Sequence, residues 1–302
     1  YDKKMKSIYK LTKGGFELDL SFFDYYLFDR QPHFYNKKLI SLFGKPREKN
    51  EKILNKHHQV AGALQRAFTH IVFHLLKINK QKGGKSNNIV IAGGAAMNCV
   101  FNGLLEKNNT YKNNFVPPWP DDLGVSIGAT YLENHNLGKK SKNECQVYLG
   151  PSYSNADIIS LLKKFNLTFF KPNNISKYIA ERISKGHLIG WFQDRMEFTH
   201  RALGNRSILA DPRKIEMQLK VNSAVKYRET FRPFAPAVLE ENASQIFMID
   251  KKTRVPFMEK AVLVKNNWKK KIPAVVHVDG TARVQTVSKK FNPSFYNLIN
   301  EF

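Results

Sequence analysis

The sequence predicts an α/β protein, and three observations carry that expectation. Short apolar runs of strand character alternate with helix-periodic segments in both halves of the chain. Glycine, proline and aspartate clusters separate them as turn signals. The composition, 42% hydrophobic and 25% charged over 302 residues, is that of a folded chain and is enough for two domains.

The elements follow in order. Residues 1–50 alternate short apolar stretches with turns, and Lys45–Lys52 is a charged break. From His57 to Ile78, the residues Val60, Leu64, Ala67, Phe68, Ile71 and Leu75 recur at helical spacing. Beyond the polar loop Lys80–Asn88, Asn88–Ala92 has the character of a buried strand. Gly93-Gly94 then predicts a tight turn and Ala95–Lys107 a helix. A strand near Asn114–Val116 leads through Pro117–Pro120 and Asp121-Asp122-Leu123-Gly124 to a helix over Val125–Asn134. The lysine-rich segment Gly138–Glu144 is the expected linker. Ser154 and Asp157 form a capping-box pattern for a helix reaching Lys164. Leu167–Lys171 is expected as a strand, Ser176–Lys185 as a helix stopped by Gly186, and His187–Phe192 as a buried strand. Asp211-Pro212 predicts a cap and first helical residue for a helix to Val221. Val275–Val287 predicts two strands around Asp279-Gly280-Thr281.

The formal charge is +24, which raises nucleic acid as a partner. Of the 49 basic residues, however, 37 are lysines spread along the whole chain among many asparagines, the pattern of a background composition. The arginines are concentrated: Arg195, Arg201, Arg206, Arg213, Arg228 and Arg232, six of twelve, fall within 38 residues. Guanidinium pairs bidentately with phosphate and carboxylate, so this cluster points to a defined anion site. The two cysteines, Cys99 and Cys145, lie far apart without metal-ligand spacing, which argues against a disulfide scaffold and fits a reducing cytoplasm. The sequence contains no apolar run of eighteen residues. It opens on Tyr1 and stops at Phe302 within a helical pattern, so it is expected to be part of a longer protein.

Several positions are candidates for chemistry. The Gly93-Gly94 turn between strand and helix would let backbone approach a phosphate or ribose, although such turns are also purely structural. Asn98 and Asn102, four apart, could hydrogen-bond a ligand or be surface residues. Asp121 and Asp122 precede a helix, where carboxylates serve as caps or as ligands for a hard cation. His70 and His74 have metal-sharing spacing but lack the HExxH glutamate and are not taken as ligands. In Arg195–Phe234 only Glu197, Asp211, Glu216 and Glu229 balance the arginines. Phe198, Phe231, Pro233 and Phe234 are interleaved with them, as expected of a rigid wall for phosphates. His277, Asp279 and Arg283 could complete that wall.

The stretches AGGAAMNCVFNG (92–103), PPWPDDLGVSIGATYL (117–132), YLGPSYS (148–154), RMEFTHRALGNRSILADPR (195–213), KYRETFRPFAPAVLEE (226–241) and HVDGTARVQTV (277–287) together resemble the carbamoyltransferase family. That family includes nodulation carbamoyltransferases and enzymes that carbamoylate antibiotics. The resemblance implies the C-terminal part of an actin-like ATPase domain at residues 1–140, followed by a YrdC-like α+β domain at 145–302. It implies an O-carbamoyltransferase that forms carbamoyl-adenylate from carbamoyl phosphate and ATP, then passes the carbamoyl group to a hydroxyl of a small molecule or sugar. On this implication Gly93, Gly94 and Asn98 line the adenylate site. Asp122 holds a divalent metal, whether iron, magnesium or manganese. Arg201, Arg206, Lys226, Arg228, Arg232 and Arg283 hold carbamoyl phosphate and the ATP phosphates.

Two positions depart from the family pattern. Asp194 stands where the family favours glycine, and Thr199-His200 where it favours Gly-Pro. The family's upstream histidine pair for the metal has no counterpart in this sequence. The alternatives are an RNA-binding or tRNA-modification-related role, suggested by the charge, and a homologue that has lost the chemistry and acts as a binding module.

Overall fold

The computed structural model describes residues 1–25, 34–83, 85–108, 110–139, 145–226 and 232–302. They form a mixed α/β structure of helices and small two-stranded sheets. The chain makes two compact units, Tyr1–Ile89 with Asn108–Asn113, and Val90–Lys107 with Asn114–Phe302. Most of the expected linker, residues 140–144, falls outside the described residues.

The first unit is organised by the long helix Asn55–Lys82. Its small residues Ala63 and Ala67, one turn apart, bring it close to Met5, Ile8 and Phe22, which bury against them. The strands Tyr9–Thr12 and Gly15–Leu18 pair as an antiparallel hairpin. His70 and His74 fasten that hairpin: the His70 Nδ1 lies 3.0 Å from the Tyr9 hydroxyl, and the His74 Nε2 lies 2.8 Å from the Thr12 carbonyl.

The second unit packs Val238, Phe247, Val255, Val262, Val264, Ala282 and Val284 into its largest core. Ala261–Leu263 pairs antiparallel with Thr281–Arg283, and Gln285–Val287 runs parallel to Ala237–Leu239. The helix Cys99–Leu105 meets the strand Ala261–Leu263 closely at Gly103, where an added Cβ would stand 1.8 Å from the Ala261 carbonyl oxygen. The last helix, Pro293–Glu301, starts with the Asn292 side chain accepting the Phe295 N–H and with proline in its first turn. It lays Phe295 and Leu298 against Ala180, Trp191 and Val287.

Some elements differ from expectation for identifiable reasons. Leu167–Lys171 forms no strand; Leu167, Phe169 and Phe170 are exposed, without a paired strand. The helix expected from Asp211 begins only at Glu216. Asp211 instead closes a local turn, accepting the Arg213 N–H at 2.9 Å and gripping the Arg213 guanidinium. The helix Ala95–Lys107 divides into a 3-10 turn, Gly94–Met97, and the helix Cys99–Leu105, because Asn98 caps the latter. The upstream half of Val275–Val287 enters a 3-10 turn at Pro273, so Thr281–Arg283 pairs with Ala261–Leu263 rather than with a preceding strand. The helices Asn155–Lys164 and Ile175–Ser184 form, the first with its Ser154/Asp157 capping box and the second followed by Gly186 at φ +84°.

Candidate functional site

Within the second unit lies a cavity of about 440 Å³. Its walls carry Arg201, Arg283 and Asp211 among apolar side chains such as Leu209, Met217, Phe234 and Phe295. Few polar groups converging in a mostly apolar concavity is the usual form of a small-molecule site.

The segment Arg195–Arg213 owes its path to Glu197, which is 6% exposed. One oxygen of that carboxylate accepts three backbone N–H groups, from Leu203 at 2.7 Å, Asn205 at 2.8 Å and Arg206 at 3.2 Å. The chain between them turns at Gly204, φ +107°, where a Cβ would strike the Phe295 ring at 2.4 Å. No other residue type meets both conditions. Behind this loop sits a buried amide network. Gln193 donates to Asn205 and Asn292, and Asn292 donates to Asn205 and to the Tyr148 hydroxyl. Burial pushes the Tyr148 phenol up to about 12, against the hydrogen bond from Asn292.

The candidate arginines divide into two kinds. Arg206 is occupied by the protein itself, donating to the carbonyls of Gln193, Asn205, Pro151 and Asp194 and lying 3.5 Å from the Phe192 ring centroid. Arg195 likewise donates to the carbonyls of Gly150 and Leu149. Arg213 grips Asp211 through Nε and Nη2, at 2.8 and 2.6 Å. Burial would raise the Asp211 carboxyl, but the hydrogen bonds and charge of Arg213 outweigh it and hold the group below the usual carboxylate range. Arg201 and Arg283 line the cavity, Arg201 also donating to the Met97 carbonyl at 3.5 Å. Arg232 is exposed next to the cavity residues Pro233 and Phe234. Arg228 and the side chain of Lys226 lie outside the described residues.

A second, smaller cleft of about 20 Å³ adjoins Arg201 and is lined by Met97, Pro120, His200 and Glu259 among others. The Gly93-Gly94 turn is tied to the wall of this cleft through Pro120. Gly93 takes φ +94° and donates its N–H to the Pro120 carbonyl at 2.5 Å, while open space lies where a Cβ would stand on either glycine. Asn98 accepts the Phe101 N–H, the work of a helix cap. Two of the three residues that depart from the family pattern make ties here. Thr199 Oγ1 donates to the Pro118 carbonyl at 3.0 Å, and His200 Nε2 pairs with Asp121 at 2.8 Å. That hydrogen bond from His200 holds the Asp121 carboxyl below its ordinary value. Asp122 is exposed beside it. Among the described residues no three His, Cys, Asp or Glu side chains gather into a metal site, so Asp122 stands as a single carboxylate.

A third cavity of about 200 Å³ has Cys145, Val147, Phe257 and Phe291 in its wall. Burial pushes the Cys145 thiol up to about 11, and both cysteines are unbridged. His277 and Asp279 do not reach the large cavity: Asp279 and Thr281 close the hairpin turn, with the His277 Nδ1 at 2.9 Å from the Thr281 hydroxyl. Burial lowers the His277 pKa, Asp279 opposing.

Sequence comparison decides the family. A profile described as carbamoyltransferase N-terminus matches residues 2–131, and one described as carbamoyltransferase C-terminus matches residues 180–302. The chain belongs to the carbamoyltransferase family. The first match contains Gly93, Gly94, Asn98 and Asp122; the second contains Glu197, Arg201, Glu259 and Arg283. Nodulation protein NolO of Bradyrhizobium diazoefficiens is 40% identical over 85% of this chain and 48% of its own length. Nodulation protein NolNO of Sinorhizobium fredii is 37% identical over 85% of this chain and 38% of its own. An uncharacterized protein of Synechocystis is 34% identical over 96% of this chain and 51% of its own. The chain therefore spans about half the length of these relatives, or less. Among the described residues no helix is long and apolar enough to cross a membrane.

Proposed function

We propose that this carbamoyltransferase is an O-carbamoyltransferase that makes carbamoyl-adenylate from carbamoyl phosphate and ATP, with water releasing inorganic phosphate from carbamoyl phosphate and the resulting carbamate displacing pyrophosphate from ATP, and transfers the carbamoyl group to a hydroxyl of a small molecule or sugar. In this reading residues 1–140 are part of an actin-like ATPase domain and residues 145–302 a YrdC-like domain, working in the cytoplasm. The observation that supports it most is the 440 Å³ cavity with Arg201 and Arg283 in a largely apolar wall. Two guanidinium groups at a partly desolvated site favour bound phosphate and the negative charge that develops on a phosphoryl leaving group. Arg232, next in sequence to the cavity residues Pro233 and Phe234, would add phosphate contacts, and Lys226 and Arg228 would add theirs in the same reading. Arg206, fixed by four carbonyls, would contribute through its charge and by holding the loop that carries Arg201.

Gly93, Gly94 and Asn98 would receive the adenylate, with the open face of the glycine turn admitting it. A divalent metal, iron, magnesium or manganese, would take Asp122 as one ligand. Its remaining ligands would come from outside the described residues, among which no cluster of three such side chains forms.

The test is pyrophosphate release from ATP, with and without carbamoyl phosphate, in this chain and in Arg283→Ala. Release that depends on carbamoyl phosphate and falls about 100-fold or more in the variant is expected. Absence of release, or release indifferent to carbamoyl phosphate, overturns the proposal.

A further inference from the structure

We infer that Glu259 accepts the proton of the hydroxyl that receives the carbamoyl group, an assignment that rests on the proposed function. The residue lines the small cleft that Ala96 and Met97, at the end of the glycine turn, and Arg201 also line. At about 20 Å³ that cleft admits one group the size of a water or a hydroxyl. Arg201 lines both this cleft and the large cavity, so a phosphoryl group held on Arg201 has a hydroxyl-sized space at its side.

Three features fix Glu259 there. The preceding residue, Met258, is held at φ +56°, a conformation that side-chain-bearing residues adopt at a cost and that gathers at functional turns. Asn102, fully buried, donates one amide to both the Ala96 carbonyl at 2.7 Å and the Glu259 carbonyl at 2.9 Å, tying the glycine turn to this residue. The Glu259 carboxylate accepts the Phe257 N–H at 3.0 Å through Oε2.

The charged surroundings suit a proton acceptor. Lys260, next in sequence and buried, pairs with Glu106 at 2.7 Å. Arg201 and His200 line the same cleft, and His200 is paired with Asp121. Among the described residues Glu259 itself makes no ion pair. Burial pushes its carboxyl up to about 7, with Lys260 opposing and Glu106 adding, so near neutrality it can both take and return a proton.

In the transfer, the acceptor oxygen bonds to the carbamoyl carbon as its proton passes to the Glu259 carboxylate. The bond from that carbon to the adenylate phosphate oxygen breaks, and AMP leaves with the bonding pair. The protonated carboxyl then returns its proton to solvent.

The assay follows pyrophosphate release and formation of carbamoylated glycerol together, with glycerol at molar concentration as the hydroxyl probe. In the native chain, transfer is expected to rise with pH through about 7 and then level off. Glu259→Gln, isosteric and uncharged, is expected to lower transfer relative to adenylation by about 10²–10⁴-fold and to abolish that rise, with Glu259→Asp restoring part of both. Arg283→Ala is expected to lower both products in step. A Glu259→Gln chain whose transfer-to-adenylation ratio and pH profile match the native chain overturns the inference, as does a native chain that adenylates but never carbamoylates glycerol. Failure of the native chain to release pyrophosphate at all removes the proposed function and this inference with it, a result distinct from the other two.

Discussion

Glu197→Ala is the most informative perturbation of the arginine loop. The native carboxylate oxygen accepts the N–H groups of Leu203, Asn205 and Arg206 in surroundings where Leu203 is 0% and Asn205 2% exposed. Removing it leaves three donors without an acceptor, each worth about 1–3 kcal/mol when buried and unpaired. Water entering the vacated volume recovers part of this, so the expected loss is roughly 3–5 kcal/mol. Glu197→Gln keeps an oxygen acceptor but loses its charge, and a loss of about 1–2 kcal/mol follows. Urea unfolding followed by tryptophan fluorescence measures this cleanly, because Trp119, Trp191 and Trp268 are the only tryptophans and all lie in the second unit. If the alanine variant unfolds within about 1 kcal/mol of the native chain, the carboxylate does not organise the loop and the argument fails.

Other changes separate backbone, packing and charge. Gly103→Ala places a methyl against the Ala261 carbonyl, 1.8 Å away before relaxation, and should lower stability by about 3 kcal/mol or more in the same urea titration. Asp194→Gly removes a left-handed residue at φ +42° while retaining the carbonyl that Arg206 bonds; a gain of about 0.5–1 kcal/mol is expected, read as a higher urea midpoint. Glu259 titrates near 7 in the folded chain against an ordinary 4.5, so folding takes up a proton between these values and stability falls as pH rises through the window. Glu259→Gln should flatten that dependence and gain roughly 1–2 kcal/mol over the native chain at pH 8, after allowance for partial exposure; parallel stability–pH curves for the two proteins would contradict the assignment.

Local signals in the sequence carried well into the structure. The 3.6-residue spacing from Val60 to Leu75 belongs to the helix Asn55–Lys82, and the Ser154/Asp157 box starts Asn155–Lys164. Each is a contest settled within a few residues, where periodicity and capping decide the outcome. Elements that needed a distant partner were harder to foresee. Leu167–Lys171 has strand composition but pairs with no strand among the described residues, and the strand Thr281–Arg283 finds Ala261–Leu263 instead of its sequence neighbour. The asparagines show the same limit. Asn102 read as a ligand-binding or surface residue and Asn205 and Asn292 only as background, yet all three are buried and hydrogen-bonded to chain far away in sequence. Glu197 read only as one acid among arginines; Gly204, seven residues on, was the available sign of a tight turn needing an acceptor. Asp194 is the opposite case. Its departure from a favoured glycine marked a backbone position, and the positive φ there explains both the preference and the tolerance of aspartate.

The arginine cluster illustrates how a compositional signal acquires meaning from its neighbours. Counting places six guanidinium groups in one stretch, but carbonyls of Gly150, Leu149, Gln193 and Asp194 engage Arg195 and Arg206, and a carboxylate engages Arg213. A guanidinium that donates to carbonyls keeps its charge, so Arg195 and Arg206 still raise the local positive potential while fixing the loop. Arg213 is different, since the buried Asp211 neutralises it. The wall of the large cavity itself carries Arg201, delivered by the turn around Glu197, and Arg283, delivered by the strand after the Asp279 turn. These two come from segments about eighty residues apart, which the Gln285 side-chain amide ties together by donating to the Leu203 carbonyl. A concavity that carries two guanidinium groups is therefore a property of the fold of the second unit, with Arg195, Arg206 and Arg213 of the cluster fixing the segment that presents Arg201 beside Arg283.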